Sequence, residues 1–187
     1  YDFGNGLTAA VGYTGDGSSI RGIATTDSAD ALGAQVTYSS DSYGLSATYA
    51  AIETASTSTS KALAGKDVSY LALNGYWTPS ETGFIPSVSV GYEMTEAQGL
   101  DDKSQWFIGL QWDEAGPGTF GTAIGTIGSS TDTHTGARID PELIMYEAFY
   151  SYAINDGMTI TPLIYAKETL PGSEDLTGIM VKTSFSF

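Results

Sequence analysis

The sequence predicts an all-β chain, an antiparallel up-and-down transmembrane β-barrel with about ten strands, and three observations carry that prediction. Apolar residues recur at every second position through much of the chain, which puts them on one face of a strand. Connections alternate between short turns and longer segments rich in Ser, Thr, Gly and Asp, which sorts them onto the two ends of one meander. Charged residues make up only 16% of the 187, below the roughly 25% of an ordinary soluble domain. Too little charge is available to wet both faces of the strands.

Taken in order, Leu7, Ala9, Val11 and Tyr13 form the first apolar set. Leu32, Ala34, Val36 and Tyr38 then oppose Gly33, Gln35, Thr37 and Ser39. Val88, Val90, Tyr92 and Met94 alternate with Ser87, Ser89, Gly91 and Glu93, and Trp106, Ile108, Leu110 and Trp112 with Gln105, Phe107, Gly109 and Gln111. The last strand sets Ile179, Val181, Thr183, Phe185 and Phe187 against Met180, Lys182, Ser184 and Ser186. Residues 45–53, 67–77, 119–127, 142–153 and 158–167 are strand-like without a clean division of faces. Short turns fall at Asn155-Asp156-Gly157, 113–118 and 40–44, with 79–86 the long member of that set. Interleaved with them are 14–30, 54–66, 96–103, 128–141 and 169–175.

Several classes are excluded. Seven Lys and Arg against 22 Asp and Glu give a formal charge of −15, which opposes nucleic-acid binding because phosphates would approach against the chain's own field. The absence of cysteine removes disulfide frameworks, thiolate metal sites and cysteine nucleophiles together. No window of 18 apolar residues exists, so a spanning helix is ruled out. The opening residues carry neither the basic nor the apolar region of a leader, and begin as if inside a strand, which favours a mature or truncated chain.

A soluble lipocalin-like barrel would turn the apolar set inward and expose a poorly charged surface of Ser, Thr, Gly and Gln. The outward apolar set of a membrane barrel suits the composition better. Trp106 and Trp112, six residues apart on one face, span roughly 20 Å, close to the ~25 Å height of an apolar band between aromatic girdles. The expected girdle is Trp106, Trp112, Tyr150, Tyr152, Phe185 and Phe187. The opposite set, including Thr8, Gly12, Gly33, Thr37, Ser87, Ser89, Gly91 and Gly109, is small and suits a wall beside water rather than the packed interior of a barrel near eight strands. Residues 1–187 therefore read as the C-terminal portion of one larger barrel of roughly sixteen strands, with a closed, plugged ten-stranded structural or receptor barrel as the alternative.

The segments Met158-Thr-Ile-Thr-Pro-Leu-Ile-Tyr and Leu176-Thr-Gly-Ile-Met-Val-Lys-Thr-Ser-Phe-Ser-Phe187 resemble the C-terminal hairpin of cyanobacterial outer-membrane porins. The opening Tyr1-Asp2-Phe3-Gly4-Asn5-Gly6-Leu7 and the hairpin over 32–47 resemble interior hairpins of that family. The resemblance is specific over the last ~30 residues and generic elsewhere. It implies a carbohydrate-type or iron-uptake-like porin: a homotrimer passing ions and small hydrophilic solutes. Peptidoglycan would be bound only through an N-terminal domain that this chain lacks. Lipid, lipopolysaccharide and the barrel-assembly machinery are the expected partners.

Catalysis is not expected. His134 lies in a polar loop with Asp132 nearby, but no serine has a nucleophile-elbow context and no second histidine can complete a metal pair. Neither a cofactor nor a specific metal site is expected, only loosely held divalent cations at oxygen-rich loops. Glu93, Glu147, Lys167 and Lys182 are the main charges within strands and are expected to face the lumen, where they would tune ion selectivity, because facing lipid costs ~2–4 kcal/mol near the midplane. An ion-pair ladder such as Glu147 with Lys167, residues expected toward opposite ends of adjacent strands, is an equal alternative.

Asp101, Asp102, Asp132, Asp140, Glu174 and Asp175, joined by Asp16, Asp27, Asp30 and Glu96, make ten acids in the five long connections against Arg21, Lys61, Lys66, Lys103 and Arg138. This acidic vestibule predicts cation preference. Phe187, Phe185 and Val181 are read as the assembly signal, which puts the C-terminus in the periplasm and the long loops outside the cell. Ala9, Ala34, Ala47 and Ala51 form a candidate trimer contact.

Overall fold

The computed structural model describes residues 1–15, 29–54, 65–81, 83–100, 102–127, 142–169 and 172–186. Ten strands follow one another: β1 (Leu7–Gly15), β2 (Asp30–Ser39), β3 (Tyr43–Glu53), β4 (Asp67–Trp77), β5 (Ser87–Ala97), β6 (Lys103–Ala115), β7 (Gly118–Ile127), β8 (Leu143–Asn155), β9 (Met158–Lys167) and β10 (Leu176–Phe185). They form one antiparallel sheet in sequence order, with β1 and β10 at its edges. The sheet is not closed, and no helix occurs among the described residues.

Connections at one end of the sheet close four hairpins, three of them short and the fourth, between β4 and β5, running over 78–86 and so longer than the β5–β6 connection over 98–102 at the other end. The tightest are β6–β7, where Gly116 takes the left-handed φ of 68° that a two-residue turn asks for, and β8–β9, where Asn155 Oδ1 accepts from Gly157 N at 2.9 Å. β-bulges interrupt the β6–β7 and β8–β9 ladders between Trp112 and Ala115 and between Ala153 and Asn155. A fifth turn, at residues 4–6, folds the N-terminal residues back along β1: Ala9 N donates to Tyr1 O at 2.9 Å, Phe3 N to Leu7 O at 3.0 Å, and Asp2 bridges Thr8. The outer edge of β1 is thereby occupied over its first residues, Leu7–Ala9.

Residues directly opposite in an antiparallel ladder share a face, so the register carries each face across all ten strands. One row runs Leu7, Tyr38, Leu45, Gly75, Val90, Ile108, Ile124, Tyr146, Ala166, Thr177. Leu7 opens β1 at the short-turn end, whereas Thr177 stands near the other end of β10, eight residues before Phe185. Eight residues at ~3.3 Å over nine strand spacings of ~4.8 Å is a slope of roughly 30°, so successive strands climb steadily past one another.

The sheet is a single layer. Among the described residues only four are buried: Val68, and the glycines Gly44, Gly91 and Gly121. Val68 at 5% exposure is the only buried hydrophobic side chain among them. Val11 is 78% exposed, Ile179 77% and Ile164 56%, at positions whose alternation would place them inward in any soluble sandwich. Backbone pairing holds the strands together; nothing among the described residues covers the apolar face.

Candidate functional site

Each face has its own chemistry. The row above and those parallel to it place Ala9, Val11, Ala34, Val36, Leu45, Ala47, Leu71, Leu73, Val88, Val90, Ile108, Leu110, Ile124, Ala148, Ile164, Ile179 and Val181 on one side. Trp77, Trp106 and Trp112, all the tryptophans of the chain, lie on that same side, opposite Val88, Tyr92 and Phe120 respectively. At its short-turn margin Tyr38, Tyr43, Trp77, Trp112, Phe120, Tyr150, Tyr152 and Phe185 follow one another; Tyr13, Tyr49, Tyr92, Trp106 and Tyr146 stand toward the other margin. Trp112 and Phe120 pack with ring centroids 5.6 Å apart, and Trp112 Nε1 donates to Phe84 O at 2.9 Å. Tyr150 Oη donates to Ala115 O at 2.9 Å. An apolar band thus runs between aromatic margins. Phe187 lies outside the described residues.

The second face carries all four strand charges expected to share a side. Glu93 stands opposite Ala72 and Gln105, Glu147 opposite Ala123 and Tyr165, Lys167 opposite Met145 and Leu176, and Lys182 opposite Thr161. Cross-strand hydrogen bonds tie this face together: Gln105 Nε2 to Glu93 Oε1 at 3.0 Å, Gln35 Nε2 to Thr48 Oγ1 at 2.9 Å, and Thr161 Oγ1 to Ser151 Oγ at 3.1 Å. The register corrects one expectation. Glu147 and Lys167 do not lie toward opposite ends of their strands; Lys167 faces Met145, so the two are diagonal neighbours in the same half of the sheet.

Large rings also occupy this face, beyond the small residues expected there. A Cβ added to Gly44 would run into the Tyr76 ring, one on Gly91 into Phe107, one on Gly121 into Phe149 and one on Gly178 into Tyr165. Each ring stands opposite its glycine on the next strand and lies down over the backbone there. That is why three of the four buried residues are glycines. Periodicity could not show it, because the partner of each glycine is set by register.

The acids divide by face as well. Asp30, Glu53 and Asp67 stand side by side across β2, β3 and β4, with Glu96 opposite Ser69 on β5. All four belong to the apolar side at its long-connection end, the end of the sheet at which the acidic vestibule was expected. Like charges directly opposite are unfavourable. Tyr13 Oη donates to Asp30 Oδ1 at 2.8 Å, and Asp30 Oδ2 is buried without a hydrogen-bond partner among the described residues. Glu53 and Asp67 escaped the sequence reading because each closes its own strand in a plausible loop context.

Of the remaining vestibule residues, Asp102, Glu174 and Asp175 are exposed. Asp175 Oδ1 accepts from Thr169 N at 3.2 Å and Thr169 Oγ1 donates to Glu174 O at 2.9 Å, which closes the β9–β10 connection locally. Asp101, Asp132, Asp140 and His134 lie outside the described residues. No group of three or more His, Cys, Asp or Glu among the described residues is arranged to hold a metal ion.

Comparison with protein-family models, with curated proteins and with solved structures finds no match to this chain.

Proposed function

We propose that this chain is the C-terminal ten strands of an outer-membrane porin, a passive channel for ions and small hydrophilic solutes with a preference for cations, possessing no catalytic role and no cofactor. A single observation carries the reading: a ten-stranded meander whose apolar face has nothing among the described residues against it, margins of Trp, Tyr and Phe on that face, and the mid-strand charges Glu93, Glu147 and Lys182 on the other, with Asp30, Glu53, Asp67 and Glu96 of the apolar side gathered at its long-connection end. In water such a face would be an aggregation surface; against hydrocarbon it is matched, and neighbouring strands pair along continuous ladders apart from the bulges in β6–β7 and β8–β9. The slope of roughly 30° approaches the ~35–45° tilt at which strands close a barrel. Closure at ten strands is disfavoured by the N-terminal hairpin, which holds the Leu7–Ala9 part of the β1 edge that β10 would have to take. A wider barrel of roughly sixteen strands, large enough for a water-filled lumen, accommodates it.

In this reading the short-turn end and C-terminus are periplasmic and the long connections extracellular, where divalent cations held by lipopolysaccharide would screen Asp30, Glu53 and Asp67. The resemblance of the final hairpin to cyanobacterial porins supports the homotrimer, for which Ala9, Ala34, Ala47 and Ala51 all lie on the apolar face, and leaves iron among the solutes. Planar-bilayer recording of the full-length protein should show stepwise conductance; its absence would remove the porin. Brominated lipid should quench all three tryptophans, and unquenched emission would show that the apolar face does not meet lipid.

A further inference from the structure

The rings laid over glycines leave two open depressions on the polar face, with one ring between them. Ser89, Gly109 and Ala123 are direct neighbours across β5, β6 and β7, so the wall is low there. Phe107 and Phe149 flank it on either side, and Glu147 supplies a carboxylate, around a space of about 330 Å³. Beyond Phe107 lies a second space of about 320 Å³, bordered by Asn74, Glu93 and Gln105. Phe107 covers Gly91, borders both spaces and is still 43% exposed. Each depression therefore joins one carboxylate to an aromatic surface on a floor of small residues.

From this geometry we infer that the polar face carries two stations for small alkylammonium cations, Glu147 and Glu93 providing the charge and Phe107 the ring shared between them. The inference rests on the reading that this face lines water. A sodium ion keeps its hydration shell and gains little from a phenyl ring. An alkylammonium is weakly hydrated and is attracted to a ring face within ~6 Å of its centroid. A sugar would need several unengaged donors and acceptors, whereas Gln105 already donates to Glu93 at 3.0 Å and Gln111 to Asp113 at 2.7 Å. With Gln105 and Gln111 engaged, charge and ring favour an organic cation over a sugar.

The test uses tetramethylammonium as probe and the full chain in a polyoxyethylene detergent, with saturation-transfer NMR as the readout and glucose as the control solute. Transfer to the methyl protons is expected. Its apparent affinity should fall about threefold in Glu147→Gln, as for an exposed ion pair, and about two- to fivefold in Phe107→Leu. Glu147→Gln leaves the Phe107–Gly91 packing intact, so the inference stays testable even where Phe107→Leu misfolds. No transfer, transfer indifferent to Glu147→Gln, or equal saturation of glucose would overturn it. Conductance is recorded separately: a conducting protein without transfer loses the stations and keeps the pore, whereas transfer without conductance keeps the stations and loses the pore.

Discussion

The two faces of this sheet are built from the same strands and obey opposite packing rules. On the apolar face large side chains stand free: Val11, Ile164, Ile179 and Val181 are more than half exposed, and only the aromatic margins make ring contacts such as Trp112 with Phe120. On the polar face the large rings are laid down, each over a glycine of the neighbouring strand, and the polar side chains hydrogen-bond across the ladder. The difference teaches where each face finds its packing partner. One side leaves its contacts to the surroundings, while the other makes them with its own backbone and keeps the wall thin.

A charge placed on each face in turn should separate the two most strongly. Val90 lies mid-strand on the apolar side between Gly75 and Ile108, and Ser89 next to it points the other way. Val90→Lys should cost about 2–4 kcal/mol of stability in bilayers, as lysine does near a membrane midplane, while Ser89→Lys should stay within about 0.5 kcal/mol, as for a solvated position. Urea unfolding from vesicles measures both; equal effects would erase the distinction between the faces.

Next in size is the glycine packing. Gly121→Val drives a branched side chain into the Phe149 ring and should cost about 1–3 kcal/mol. Combining it with Phe149→Ala should recover part of that loss, because the two residues share one space. Additive losses in the double-mutant cycle would mean that ring and glycine do not depend on each other.

The smallest effect concerns the loops. Neutralising Asp102, Glu174 and Asp175 together should lower cation preference by a factor of about two at physiological salt and leave it unchanged at 1 M, where the Debye length shrinks to ~3 Å. Reversal potentials across a salt gradient report this directly. Unchanged potentials at low salt would assign the preference to Glu93 and Glu147 on the wall instead.

Much of the architecture could be read from residues alone. Ten strands, the shared side of Trp106 and Trp112, and the common face of Glu93, Glu147, Lys167 and Lys182 all follow from an alternation that each strand carries by itself. What the tertiary structure decided is who stands beside whom. Phe149 meets Gly121, Asp30 stands beside Glu53 and Asp67, and Lys167 lies diagonal to Glu147 because turn lengths, two bulges and a steady stagger set the register. A strand's period of two assigns every side chain a face and says nothing about its partner, since sliding a neighbour by two residues preserves the faces and changes every pair. That same register laid the N-terminal hairpin along β1 and left the ten-stranded sheet open.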